Sequence, residues 1–131
     1  MTANVEAPYA VYQAMLPLLT AASGQIVIIN STQGLAAAPG VGQYAATQHA
    51  MRAIADSLRE EVNPLGIRVA SLFLGRTATE RQAAIFAMEG RPYQPARLIQ
   101  PGDVAGVVLD IFTLPRSAQV TDISMRPELK T

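Results

Sequence analysis

The sequence predicts an α/β protein with a three-stranded parallel sheet and flanking helices. Helix-like and strand-like patterns alternate along the 131 residues, which favours parallel strands joined by right-handed crossovers. The strand-like runs are short and continuously apolar, as in sheets that are covered on both faces. Because no linker, internal repeat or low-complexity tract interrupts this order, we expect a single domain over residues 1–131.

The first half of the chain predicts a helix, a strand and a longer helix. Apolar residues recur at intervals of three and four over residues 4–22, where Pro17 should kink the last turn. The run QIVIIN at 25–30 predicts a strand buried on both faces. A loop of about a dozen residues follows, rich in glycine and small side chains. The helix over 43–62 then has one apolar stripe, and the run REE at 59–61 is expected to lie on its solvated face.

The second half predicts two more strands and two more helices. In chain order these are a buried strand, a short helix, a longer helix and a final strand, at residues 66–74, 79–89, 102–113 and 118–125. Pro101 suits the first turn of the longer helix, and Asp103 should stabilise the positive end of its dipole. Three strands make a small sheet, and the first would expose an apolar edge that ordinarily has a neighbour. We therefore expect that something is missing on that side of the sheet.

Composition excludes several classes of function. Ten basic residues balance ten acidic ones without a basic cluster, so we predict no nucleic-acid partner and no membrane partner. The chain has no cysteine and one histidine, His49, which we expect to be a solvated helix residue, so we also predict no metal site. The amino terminus lacks the pattern of a signal peptide, and no apolar run is long enough to span a membrane, so we expect a cytoplasmic location.

Polar residues cluster where ligands bind in parallel α/β sheets, beyond the carboxyl ends of the strands. Ser31 follows the first predicted strand, Tyr44 begins the long helix, and GRTAT at 75–79 follows the second strand. These hydroxyl groups form the candidate site. Alone, Ser31 is typical of a turn residue, and Tyr44 is equally well interpreted as a ring that packs at a helix start.

Taken together, these motifs resemble the short-chain dehydrogenase/reductase family. The segment IINSTQG is similar to the family's strand-Ser-x-x-Gly element, and Tyr44 follows Ser31 by thirteen residues, a typical family interval. The family's Tyr-x-x-x-Lys motif is present as Tyr44-x-x-x-Gln48. LGRTAT resembles Pro-Gly-x-x-x-Thr, with Leu74 where proline is customary. The resemblance covers nearly all of this chain, but only about half of the family's fold.

The resemblance implies a partial Rossmann-like, doubly wound fold and a role for each matching residue. Ser31 would hydrogen-bond the substrate oxygen, Tyr44 would carry the proton, and Gln48 occupies the lysine position. Asn4 falls where the family's asparagine holds a proton-relay water, although a residue so near the terminus also suits a simple helix start. The residues that would touch the nicotinamide end of NAD(P), as vestigial cofactor-binding residues, are Gly75 and Thr79.

Two departures from the family pattern argue against independent catalysis. In the complete fold the preceding half supplies a glycine-rich turn for the cofactor pyrophosphate; no such Gly-x-x-x-Gly-x-Gly follows a strand here, so we expect no cofactor on the isolated chain. A free phenol titrates near 10, so only roughly one in a thousand is ionised at pH 7. The family's lysine places a cation near the phenol, whereas Gln48 brings no charge, and we expect no other cation beside the ring.

Three functions remain open from the sequence. The first is a truncated short-chain dehydrogenase-like protein without independent oxidoreductase activity. The second is an NAD(P)-dependent alcohol or ketone oxidoreductase that becomes active when a partner supplies the dinucleotide-binding half. The third is an oligomerisation or regulatory module for full-length dehydrogenases. In each case we expect a homo-oligomer, a dimer formed through helices 4–22 and 43–62, through the strand edge at 25–30, or through both.

Overall fold

A computed structural model of the protein describes residues 2–131. The sheet has three parallel strands, as predicted, and they lie in the order β1-β2-β3. The strands are β1 Gln25–Ser31, β2 Arg68–Leu74 and β3 Asp122–Met125, and the α-helices are α1 Ala7–Ala22, α2 Gly42–Val62, α3 Glu80–Met88 and α4 Pro101–Thr113. Among the described residues, no helix is long and apolar enough to cross a membrane.

Helices cover both faces of the sheet, and each face has its own apolar core. On one face, α1 and α2 pack against side chains that alternate along β1 and β2, with Ile28 and Val69 at the centre. On the other face, α4 packs against the intervening residues, including Ala70 and Leu72. This alternation follows from the two-residue period of a strand and gives β2 a fully buried position in the middle of the sheet.

The start of the chain differs from the predicted helix over residues 4–22. Residues Thr2–Glu6 form a π-helical turn, and the α-helix begins only at Ala7. Val5 is buried in the core between α1 and α2, which holds this wider turn against the sheet side of the molecule. The α-helix continues through Pro17 and ends at Ala22, because the next residue, Ser23, has a left-handed φ of 49°.

The prediction that the first strand is buried on both faces is wrong. β1 pairs with β2 on one side and lies at the edge of the sheet within the described residues. Its outer face is incompletely covered, because α4 reaches Val27 while Ile29 remains 55% exposed. The expected unprotected apolar edge is thus present at β1.

The prediction that residues 59–61 lie on a solvated face is wrong for Arg59. Arg59 is 7% exposed, and its Nε donates to the carbonyl oxygen of Val69 at 2.8 Å. Nη2 donates to the carbonyl of Thr121 at 2.9 Å, and Nη1 contacts Asp56 at 3.0 Å. The guanidinium therefore joins α2 to β2 and to the residue before β3. The spacing of apolar residues along a helix does not predict such contacts with distant segments.

The segment between β2 and α4 leaves the sheet, and its last residues come back to contact its first residues. Thr77 and Ile99 form an isolated parallel bridge, in which the Ala78 N–H donates to the Ile99 carbonyl at 2.8 Å and the Ile99 N–H donates to the Arg76 carbonyl at 3.1 Å. The excursion between these residues contains α3. Its base is consequently closed by backbone hydrogen bonds beside the end of β2.

Replacing Arg59 by methionine should destabilise the fold by about 2–4 kcal/mol, because the buried carbonyl of Val69 and the carbonyl of Thr121 lose charge-assisted donors. Urea unfolding monitored by circular dichroism measures the loss. The matched control is Arg126→Met, at an exposed arginine, which should change stability by no more than about 0.5 kcal/mol. Equal stability of the two variants would contradict the structural role of Arg59.

Candidate functional site

The candidate site is a cleft beyond the carboxyl ends of β1 and β2. Pairing of Ser31 with Leu74 places these two strand ends side by side. The cleft has a volume of about 900 Å³ and lies between the loop after β1, the start of α2 and the start of α3. It is lined by all six residues predicted from the sequence, namely Asn4, Ser31, Tyr44, Gln48, Gly75 and Thr79.

Ser31 lies at the end of β1 and caps the 3-10 turn Thr32–Gly34. Its Oγ accepts a hydrogen bond from the Gln33 N–H at 3.1 Å, so one of its two lone pairs serves the turn. A serine hydroxyl also has a second lone pair and one O–H donor. The half-buried side chain can therefore hold the turn and still donate a hydrogen bond into the cleft.

Tyr44 is half-buried in the first turn of α2 and carries a cation on its ring face. The Arg81 guanidinium carbon lies 5.1 Å from the ring centroid, within the range of a cation–π contact. The expectation that no cation lies beside the phenol is therefore wrong. Arg81 belongs to α3, and only the fold brings it to α2. The contact is with the ring rather than with the hydroxyl group, so it differs from the contact that a lysine at position 48 would make.

Gln48 is buried and is bonded to Asn30, a residue that the sequence did not single out. Its Nε2 donates to Asn30 Oδ1 at 3.0 Å, while Asn30 Nδ2 donates to the backbone carbonyl oxygen of Gln48 at 3.0 Å. Asn30 Oδ1 also accepts the Ser31 N–H at 2.6 Å, which fixes this atom as the oxygen. The orientation of the Gln48 amide follows, since only its nitrogen can face that oxygen. Among the described residues, no side-chain hydrogen bond joins Gln48 to Tyr44.

The other three predicted residues make contacts within the protein. Asn4 is exposed on the amino-terminal turn, and its Nδ2 donates to Thr47 Oγ1 at 3.3 Å. Thr79 caps α3 by accepting the Gln82 N–H at 3.2 Å, so its hydroxyl already serves a helix. Gly75 lies against the segment after β3, where an added Cβ would come within 3.3 Å of the Met125 carbonyl oxygen. His49 is exposed, as predicted.

An arginine whose charge is already balanced lines the α3 side of the cleft. Arg76 Nη2 donates to Glu89 at 3.1 Å, and its guanidinium carbon lies 4.7 Å from the centre of the Phe86 ring. The hydrogen bond from Arg76 lowers the pKa of the Glu89 carboxyl, and a second one from Arg91 acts in the same direction. Glu89 therefore stays ionised at neutral pH and forms ion pairs with both Arg76 and Arg91, of which only Arg76 lines the cleft.

Comparison with known proteins decides the family. The model of the family described as short chain dehydrogenase matches residues 1–90. The chain belongs to the short-chain dehydrogenase family. It is 39% identical over 94 residues to zebrafish (Danio rerio) dehydrogenase/reductase SDR family member 7B, covering 71% of this chain and 30% of the relative. It is 30% identical over 127 residues to an uncharacterized oxidoreductase of Staphylococcus aureus, covering 95% and 52%.

Among solved structures, the chain resembles a short-chain dehydrogenase of Escherichia coli in complex with NADPH. The TM-score is 0.80 at 26% identity, over 92% of this chain and 49% of that chain. The Rossmann-like fold of the family is thus present in part. The chain spans about half the length of this structure and of the Staphylococcus relative, and less of the zebrafish protein.

The described residues do not fit the dinucleotide of NAD(P) as a whole. Gly40 and Gly42 lie in the loop before α2, and an added Cβ at either position would meet no atom within 4 Å, so neither marks a close approach of the backbone to a phosphate. The start of α3 is capped by Thr79 itself. Residues 2–131 therefore provide no pyrophosphate cradle of the glycine-rich type.

Gly34→Ala should damage the Asn30–Gln48 pair. A Cβ at position 34 would lie 2.7 Å from Asn30 Oδ1, which is already held by two donors. We expect a loss of about 1–3 kcal/mol in unfolding free energy and a shift of the Gln48 side-chain amide signals in NMR spectra. Gly42→Ala is the matched control, because its Cβ would meet open space at the start of α2. Unchanged Gln48 signals in the Gly34 variant would contradict this arrangement.

Proposed function

We propose that this chain forms the substrate-binding half of a short-chain dehydrogenase site and does not turn over without a separate dinucleotide-binding half. The observation that carries the proposal is the set of side chains that line the cleft. Ser31 and Tyr44 line it together, as carbonyl or alcohol chemistry requires, while Gln48 presents a neutral amide bonded to Asn30. The chain thus has the hydroxyl groups for a substrate oxygen but no complete cofactor site.

Each hydroxyl has a distinct part in this proposal. Ser31 donates its O–H to the substrate oxygen and orients it. Tyr44 gives a proton to that oxygen in reduction, or takes one from it in oxidation. Asn4 lies at the rim of the same cleft and is hydrogen-bonded to Thr47, which suits a water-holding position. NAD(P) would supply the hydride when bound, with Gly75 and Thr79 beside its nicotinamide end.

The neutral residue at position 48 supports low activity in the isolated chain. A lysine there would bring a positive charge that favours the ionised form of a nearby phenol. The Gln48 amide brings none, and its nitrogen is directed at Asn30. The guanidinium of Arg81 stands over the ring of Tyr44 and leaves the lysine position without a substitute at the hydroxyl.

The purified chain should neither bind nor oxidise reduced nicotinamide cofactors. We expect no saturable NMR shifts at Ser31, Tyr44 and Thr79 on titration with NADH or NADPH below millimolar concentration, and no oxidation of either with a simple ketone. Gln48→Lys should remain inactive for the same reason, since it restores a cation but no pyrophosphate site. Saturable shifts, or consumption of NADPH by the wild-type chain, would end the proposal of an inactive half.

A second candidate is a two-chain oxidoreductase in which another polypeptide supplies the dinucleotide-binding half. The free edge of β1 favours it, because the backbone groups there are available for a further strand. Ile29, 55% exposed on the uncovered face next to this edge, adds apolar area that such a partner would bury. The partner would carry a βαβαβ unit with a glycine-rich turn.

Mixing the chain with a polypeptide that carries the amino-terminal half of the Staphylococcus relative tests this candidate. The mixture should oxidise NADH or NADPH in the presence of a ketone, and Ile29→Lys should abolish this activity by placing a charge in the new contact. The control is Leu129→Lys, at another exposed apolar residue, which should retain activity. A stable complex without cofactor oxidation would count against the two-chain enzyme.

Association of the chain with itself stays a prediction. The third possible function, an assembly or regulatory module, also stays a prediction. Self-association is supported by an apolar surface on α1, where Val11 and Leu18 are 57% and 65% exposed. Burial of such side chains between two copies would be favourable, at about 25 cal/mol per Å² of apolar area removed from water.

A further inference from the structure

The cleft contains one cation that the rest of the described structure leaves without an acidic partner. Arg81 is exposed at the start of α3 and lines the cleft, and the four ion pairs of the described residues do not include it. Its guanidinium lies over the Tyr44 ring at 5.1 Å. Stacking on an aromatic face leaves the edge of the guanidinium, with its N–H groups, free to donate in the plane.

The charges around the cleft leave an excess of one positive charge. Three charged side chains line it among the described residues, Arg76, Arg81 and Glu89. Arg76 is paired with Glu89. Arg81 therefore accounts for the excess, in a chain whose formal net charge is zero. Its place in the first turn of α3 puts the positive end of the helix dipole on the same side.

We infer that Arg81 binds a carboxylate of the substrate, and that the substrate class is a hydroxy- or oxo-carboxylic acid. This inference rests on the proposed function, since the oxygen to be reduced or formed would lie at Ser31 and Tyr44. The guanidinium that receives the carboxylate stands over the Tyr44 ring itself. A short carbon chain therefore suffices to join the carboxylate to the reacting carbon. The pairing is bidentate in type, as is usual for a guanidinium with a carboxylate.

A single guanidinium suits a carboxylate better than a phosphate. The carboxylate carries one negative charge, which matches the one uncompensated positive charge of the cleft. A phosphate monoester carries close to two negative charges at neutral pH and would find Arg76 already engaged by Glu89. Arg81 thus selects by charge as well as by position.

The test compares a carboxylate with a neutral probe of the same size, without cofactor, so it is independent of turnover. The chain is titrated with 3-hydroxybutyrate and with 3-hydroxybutanamide, and binding is followed by NMR at the Arg81, Tyr44 and Ser31 signals. The wild-type chain should bind the carboxylate at least about tenfold more tightly than the amide, as expected for a charge-assisted contact. Inorganic phosphate, as a third probe, should bind more weakly than the carboxylate.

Three variants locate this preference. Arg81→Gln should remove the tenfold difference and leave the Kd of the amide unchanged. Arg81→Lys should keep part of it, because the charge remains while the planar, stacked fork is lost. Arg126→Gln is the matched control at an exposed arginine that does not line the cleft, and it should bind as the wild type does. An unchanged thermal midpoint verifies that each variant is folded.

The inference and the proposed function fail in different ways. Equal Kd values for carboxylate and amide in the wild type, or no saturable binding of the carboxylate, would overturn the role of Arg81. So would an equal loss of carboxylate binding in Arg81→Gln and Arg126→Gln. Carboxylate binding through Arg81 in a chain that never turns over, even with a dinucleotide-binding half present, would overturn the proposed function and leave the carboxylate site standing.

Discussion

The reciprocal amide pair of Asn30 and Gln48 is the interaction on which the geometry of the cleft depends. It joins the carboxyl end of β1 to the first two turns of α2 through two hydrogen bonds of 3.0 Å. Asn30 Oδ1 also holds the Ser31 N–H, so the same side chain positions the serine at the strand end. Both residues are buried, where an unpaired amide group would be costly, and the two bonds pair the amide nitrogen of Gln48 and both polar side-chain atoms of Asn30. The pair therefore stabilises the site through complementary neutral dipoles.

This pair also changes where charge resides in the site. At the position where the family has lysine, the chain has an amide whose nitrogen is hydrogen-bonded to Asn30. The uncompensated positive charge is instead on Arg81 of α3, whose guanidinium lies over the Tyr44 ring. A cation near the reacting oxygen would act on proton transfer, whereas a cation over the ring face is better placed to select and orient an anionic ligand. In the proposed site, Arg81 would therefore serve ligand binding, while position 48 contributes no charge to proton transfer.

Periodicity and motif spacing predicted the order of elements and six of the residues that line the cleft, because both depend on near neighbours in the chain. The helix expected from residue 43 begins at Gly42, for example. Long-range polar partners were not accessible in this way. Arg59 was expected in solvent, but its partners include Thr121, 62 residues away. The approach of Arg81 to Tyr44 was missed for the same reason.

The bridge between Thr77 and Ile99 has a consequence for how this part of the fold tolerates variation in sequence. Because the excursion is closed at its base by two backbone hydrogen bonds, its entry and exit points coincide beside the end of β2. Insertions or deletions in the proline-containing outer turn, near Gly90 to Pro95, lengthen or shorten the loop that the Thr77–Ile99 bridge closes. The added entropy cost of a longer loop grows only slowly with length. Evolution can therefore remodel this outer turn while the strands and α4 keep their places.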